Sequence, residues 1–154
     1  MERELAFIRA LHVAGVVLWI GGVAFVTTVL IPAVTAEHPP ERRLAAFLRL
    51  ESRFAWQARL SVLVVGATGF WMTYRLELWS RFARPETWWM HAMLGVWALF
   101  ALMLFVLEPL VLHRRLERSP DPARAFRRMR RLHWFLLGVS LTTVLGAVAG
   151  VHGG

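Results

Sequence analysis

The chain has no cysteine, no lysine and only one tyrosine in 154 residues. Without cysteine there are no disulfides, thiolate metal sites, iron–sulfur clusters or thiol nucleophiles, and the redox compartment cannot be read from them. A covalently attached c-type haem is excluded too, because its Cys-x-x-Cys-His signature cannot be written. Any metal ligand therefore comes from His, Met, Glu, Asp or Tyr. No hydrolase triad, phosphate-binding loop or carboxylate dyad is visible either.

What is abundant is apolar. The hydrophobic fraction is 57% and there are eight tryptophans, against an apolar share of roughly 45 to 50% in soluble domains. Four runs, Leu5 to Ile31, Trp56 to about Trp79, Trp88 to about Leu112 and His133 to Val151, are each near or above the roughly 20 residues that a bilayer-crossing helix needs. Backbone groups in lipid must be bonded internally, so such runs are helices. The expectation is an all-α, integral-membrane four-helix bundle forming one domain over residues 1–154. Val34-Thr35-Ala36 resembles a signal cleavage site, but the apolar run before it is too long for a signal peptide and Glu2 and Glu4 offset the charge ahead of it.

All eighteen basic residues are Arg, and their placement predicts an orientation. Thirteen lie in two segments: Arg42, Arg43, Arg49, Arg53 and Arg59, then Arg114, Arg115, Arg118, Arg124, Arg127, Arg128, Arg130 and Arg131. The other side holds only Arg3, Arg9, Arg75, Arg81 and Arg84, so the positive-inside rule puts both termini outside the cytoplasm of a bacterial-type inner membrane. A net charge of +8 on arginines that flank apolar helices points to anionic lipid rather than nucleic acid, for which no recognition module is present.

Both basic segments carry helix-start punctuation, His38-Pro39-Pro40-Glu41 and Ser119-Pro120-Asp121-Pro122, with Asp121 a natural N-cap and Pro122 in the first turn. Leu44, Phe47, Leu48 and Phe54, and then Phe126, Met129 and Leu132, follow at helical spacing. The second and fourth helices are therefore expected to begin before the membrane. The two halves also match in order: His12 precedes Pro32 by 20 residues and His91 precedes Pro109 by 18. Each is followed by a Pro-started basic helix and a glycine-dotted apolar run. A 2+2 helix repeat about an axis along the membrane normal fits that order and places His12 and His91 at similar depth.

An ionisable ring inside an apolar run is costly, so it is a functional hypothesis by default. His12 lies in Leu11-His12-Val13-Ala14-Gly15-Val16-Val17-Leu18-Trp19 and shares a helical stripe with Gly15, Trp19 and Gly22. The small residue leaves space for a flat macrocycle and Trp19 supplies an aromatic wall; the competing reading is close helix packing at the glycines. His91 repeats the arrangement with Gly95 and Ala98 onward, and Trp88 and Trp89 beside it read first as an interfacial belt. His152, near the C-terminus, is a reserve ligand. His38, His113 and His133 lie toward the basic side and read as interfacial residues.

Neutral imidazole suits haem iron, copper and zinc alike. Two helices each giving one His is a common way for a bundle to hold a cofactor, and haem b is the cofactor expected, with a copper ion as the alternative. The metal ligands would be His12, His91 and His152, and Gly15, Trp19, Gly95 and Arg9 would line the cofactor. Arg9, Arg75, Arg81 and Arg84 stand where haem propionates need cations, though ordinary flanking charge is the first reading of any one of them. Glu108, before Pro109, is read first as reaching the interface, with pairing to Arg59 as the alternative. Gln57, Ser61, Thr68, Thr142 and Thr143 read as helix–helix hydrogen-bonding residues, and Gly146 to Gly150 as a small-residue motif for a homodimer or for packing within the chain.

The segments Leu11-His12-Val13-Ala14-Gly15, Trp19-Ile20-Gly21-Gly22, Arg53-Phe54, Arg59-Leu60-Ser61 and Ala67-Thr68-Gly69-Phe70 resemble the core of the bacterial copper-resistance protein D family. They also resemble the HemJ-type protoporphyrinogen oxidase family, whose third-helix Trp-x-His element is matched by Trp89-Met90-His91. The likeness runs over most of the four helices. The second family implies a haem ligand at His12, and the first implies copper handling. The chain departs from the HemJ type in having no lysine after His91, with Met93 two residues on, which weighs against protoporphyrinogen oxidation. A copper path would show several Met or His on one face, whereas only Met72, Met90 and Met93 lie near the outer end. Three classes follow: a haem b electron carrier with a membrane-soluble or protein redox partner, an oxidoreductase acting on a tetrapyrrole, and a copper transporter or sensor.

Overall fold

The structure is a computed structural model that describes residues 2–112 and 119–152, with side chains for 2–108 and 119–150. The described residues form helices and no strand. Helix α1 spans Glu2–Phe25 and runs through a π-helical turn, Val26–Leu30, into α2, Ile31–Glu37. Helix α3 spans Pro40–Arg75, α4 Trp88–Leu102 with a π-helical continuation over Met103–Leu112, and α5 Pro122–His152. Two short 3₁₀ turns, Leu78–Ala83 and Pro85–Thr87, join α3 to α4.

The punctuation works as its chemistry requires. Pro40 opens α3 and Pro122 opens α5, where a missing N–H costs nothing. The Asp121 carboxylate accepts from the Arg124 amide at 2.8 Å, which satisfies one of the free donors of the first turn. α3 and α5 therefore extend past their apolar runs, as expected. A π turn accompanies each mid-helix proline, immediately before Pro32 and around Pro109. A proline ring clashes with the carbonyl four residues back, and widening the helix relieves it.

Three helical stretches are long and apolar enough to cross a membrane: Glu2–Glu37, Pro85–Glu108 and Pro122–Gly150. The second expected span, inside α3, is not among them. Only fifteen residues separate Arg59 from Arg75, a rise of about 22 Å against a hydrocarbon core of about 30 Å. The outer surface is nonetheless greasy, with Phe7, Val17, Leu63, Phe70, Phe105 and Leu145 all exposed. Apolar residues on the outside of a helical bundle suit lipid as solvent.

Two clusters form the interior. Trp19, Ile20, Val62, Val65, Val96, Phe100 and Leu136 pack at mid-bundle, and Val26, Ile31, Val34, Leu44, Phe47, Phe126 and Met129 pack toward the basic segments. α1 lies along α3, and α4 packs chiefly on α5. Glycines set the closest approaches. A Cβ on Gly15 would come within 2.9 Å of Val65, and one on Gly66 within 2.7 Å of the Trp97 ring, whose Nε1 donates to the Val62 carbonyl at 2.9 Å.

Candidate functional site

His12 sits half-buried between α1 and α3. Its Nδ1 lies 2.9 Å from the Thr68 hydroxyl oxygen. The Thr68 hydroxyl has one proton, and of its two backbone acceptors the Val64 carbonyl at 2.6 Å is nearer than the Val65 carbonyl at 3.2 Å; with the proton given there, its oxygen accepts from His12. A neutral ring that donates to that oxygen carries its proton on Nδ1 and its lone pair on Nε2. A Cβ on Gly69 would stand 3.3 Å from His12 Cε1, so the glycine makes room for the ring. Orientation by a hydrogen bond from the non-ligating nitrogen is the usual support of a metal-binding histidine.

The other predicted positions fall differently. A Cβ on Gly15 would meet Val64 and Val65, so this glycine lets α1 and α3 close up. Trp19 is buried edge-on against Phe100, with ring centroids 4.9 Å apart. Arg9 is exposed. His91 is also exposed and meets Phe82 edge-on at 5.4 Å, on the same outward face of α4 as Leu94, Gly95 and Ala98. The structure therefore gives the two histidines separate partners and does not aim them at each other across the bundle. His113 and the side chain of His152 lie outside the described residues.

Trp88 and Trp89 pack on α5, and Trp88 stays half exposed. Their rings lie over Gly146 and Gly150, where a Cβ would strike them, so the small-residue motif of α5 is occupied within the chain. Thr68 bonds across helices as expected, whereas Thr142 and Thr143 donate back to Gly138 and Val139 of their own helix.

Beside Trp19 the four helices line a partly open pocket of about 120 Å³. Its walls are mostly apolar, and Glu51, Gln57, Glu108 and His133 bring polarity to it. Arg59 donates from Nη2 to Glu108 Oε1 at 3.2 Å and from Nε to the Leu104 carbonyl at 3.1 Å. Glu108 is thus paired rather than simply interfacial. Burial pushes the Glu51 carboxyl up to about 7; the Glu108 charge raises it further and the Arg59 charge opposes. Glu51 went unremarked in the sequence, yet its signal is there: it is a lone acid in the apolar stripe of Leu44, Leu48 and Ala55. His133 Nδ1 donates to the Met129 carbonyl at 3.0 Å, since a carbonyl can only accept, and this leaves Nε2 as an acceptor.

Comparison with models of known protein families, with curated proteins and with solved structures finds no match to this chain.

Proposed function

We propose that the chain is a multi-pass membrane redox protein that holds haem b through His12. The observation that carries this is the hydrogen bond between His12 Nδ1 and the Thr68 hydroxyl at 2.9 Å, which orients the ring and leaves Nε2 as the nitrogen for a ligand bond in this reading. Haem suits such a site because the macrocycle brings four nitrogen donors of its own and asks for as little as one histidine from the protein. A bare copper ion asks for several side chains, and among the described residues no group of three His, Cys, Asp or Glu is gathered. The bound group would supply one-electron chemistry. The chain itself holds the ring of His12 with Thr68, makes room for it at Gly69, and surrounds the helix with an apolar shell that disfavours charge and so tunes the potential.

In this reading α3 crosses the bilayer as a short fourth span, its end charges reaching the interfaces by snorkelling. Both termini then face out of the cytoplasm and the arginine-rich segments meet anionic lipid. His91, exposed beside Phe82, is not required as a ligand within the chain. Purification after haem-replete expression tests the proposal. A Soret band that survives in His91→Ala and is lost in His12→Ala is expected, and absence of any band from the parent protein would overturn it.

A further inference from the structure

Pro109 breaks the hydrogen-bond ladder of the α4 continuation at a defined atom. In the π-helical segment Met103–Leu112 a carbonyl accepts from the amide five residues on. The partner of the Leu104 carbonyl would be residue 109, and a proline has no N–H to give. A carbonyl left unpaired away from water is costly, so it takes a donor from elsewhere. That donor comes from α3: Arg59 gives Nε–H to the Leu104 carbonyl at 3.1 Å and a proton of Nη2 to Glu108 Oε1 at 3.2 Å. One guanidinium therefore spans the break, holding the broken rung by its backbone and the residue before the proline by its side chain.

A second carboxyl group stands beside the same guanidinium. Glu51 of α3 and Glu108 line one pocket, and no hydrogen bond or ion pair to the Glu51 carboxyl is found among the described residues. The charges that act on Glu51 are Glu108, which repels its ionised form, and Arg59, which attracts it. α5 adds His133 to the pocket, and α1 with its π turn lines it with apolar residues only. When Glu51 is neutral, Glu108 has Arg59 to itself; when Glu51 is ionised, two carboxylates compete for one guanidinium. Burial keeps the Glu51 proton in place up to about 7. An exchange of partners does not bury a bare charge, because 34% of the Arg59 side chain and 20% of the Glu108 side chain are exposed.

From this geometry we infer that Arg59 is a latch that holds the continuation of α4 on α3 across the Pro109 break, and that ionisation of Glu51 draws the guanidinium off Leu104 and Glu108 and lets the pocket between the helices open. The movable part is the π-helical segment, whose ladder already lacks the rung at Leu104. The α-helical part, Trp88–Leu102, stays docked through Trp88 and Trp89 on α5. Neither His12 nor Thr68 takes part, so the latch and the haem proposal stand or fall separately.

Dipolar electron paramagnetic resonance across the latch tests this. The chain has no cysteine, so nitroxides at Ser52→Cys on α3 and Leu107→Cys on the α4 continuation, both exposed positions, read the separation of the two elements in the full chain in detergent. A longer-distance population that grows several-fold between pH 6 and pH 8 is expected. Glu51→Gln cannot ionise and should keep the shorter distance at both pH values, whereas Arg59→Gln should show the longer one at both. Pro109→Ala supplies the missing amide, so the rung at Leu104 closes within the helix and the pH response should be lost. His133→Gln removes the other titratable ring of the pocket and should respond as the parent does. Helical content and a monodisperse elution profile confirm that each variant is folded. A parent distribution that does not change with pH would overturn the inference, as would a response that survives in Glu51→Gln, is undiminished in Pro109→Ala or is lost in His133→Gln.

Discussion

Thr68 has one hydroxyl proton, and its nearest acceptor is the Val64 carbonyl of its own helix at 2.6 Å, an arrangement that leaves its oxygen to accept from His12. In that arrangement Nδ1–H meets Thr68 Oγ1 at 2.9 Å, and Nε2 is the nitrogen left for a ligand bond. Thr68→Val keeps the shape of the side chain and removes the acceptor. Haem affinity should fall roughly 10- to 100-fold, as when the outer partner of a ligating histidine is lost, measured by titrating haem into apoprotein and following absorbance; an affinity equal to that of the parent would mean Thr68 does not orient the ring. Glu51 makes a second residue-scale prediction. Its carboxyl titrates near 7 when folded and near 4.5 as a free side chain, so the folded state binds the proton more tightly. Its contribution to stability is complete below about pH 4.5 and is lost as pH rises toward 7. Unfolding in detergent across that window should show stability declining with pH in the parent, and a flatter profile in Glu51→Gln.

Among the elements, much was legible because it follows from local chemistry. Pro40, Asp121 and Pro122 start helices where their side chains allow, and the apolar residues after them run on at helical spacing. The orientation of α4 was not legible. Trp88–Leu102 is apolar almost throughout, so no polar stripe marks an outward face, and the side on which His91 falls depends on Trp88 and Trp89 docking over Gly146 and Gly150. The π turns were hidden for a related reason: a proline announces a local disturbance but not whether the helix kinks or widens. Glycine roles divide in the same way. Gly66→Ala should destabilise by about 1–3 kcal/mol, because the new methyl meets a Trp97 ring that is tied to the Val62 carbonyl. Gly21→Ala meets nothing within 4 Å and should be neutral or stabilise by up to about 1 kcal/mol through helix propensity. Thermal unfolding of the two variants in one detergent checks the contrast; equal effects would mean that α3 and α4 are not packed as described.

At the scale of the whole molecule, composition announced a helical membrane protein, and three helices meet the length and hydropathy needed to cross. The role of α3 decides the topology. If it crosses, the segment around Arg42 and the turn around Ser80 lie on opposite sides; if it does not, they share one. The absence of native cysteine makes this simple to read, since Arg42→Cys and Ser80→Cys each introduce the only thiol. A membrane-impermeant maleimide applied to intact cells should label Ser80→Cys, and should reach Arg42→Cys only after permeabilisation; labelling of both from outside would contradict a crossing α3. The central claim, that His12 Nε2 is the protein's bond to haem iron, is tested most directly by cavity rescue. Haem-replete His12→Gly protein should lack the Soret band and regain it when free imidazole is added, whereas the parent spectrum should not change. A Soret band in His12→Gly as strong as in the parent, without imidazole, would contradict the claim.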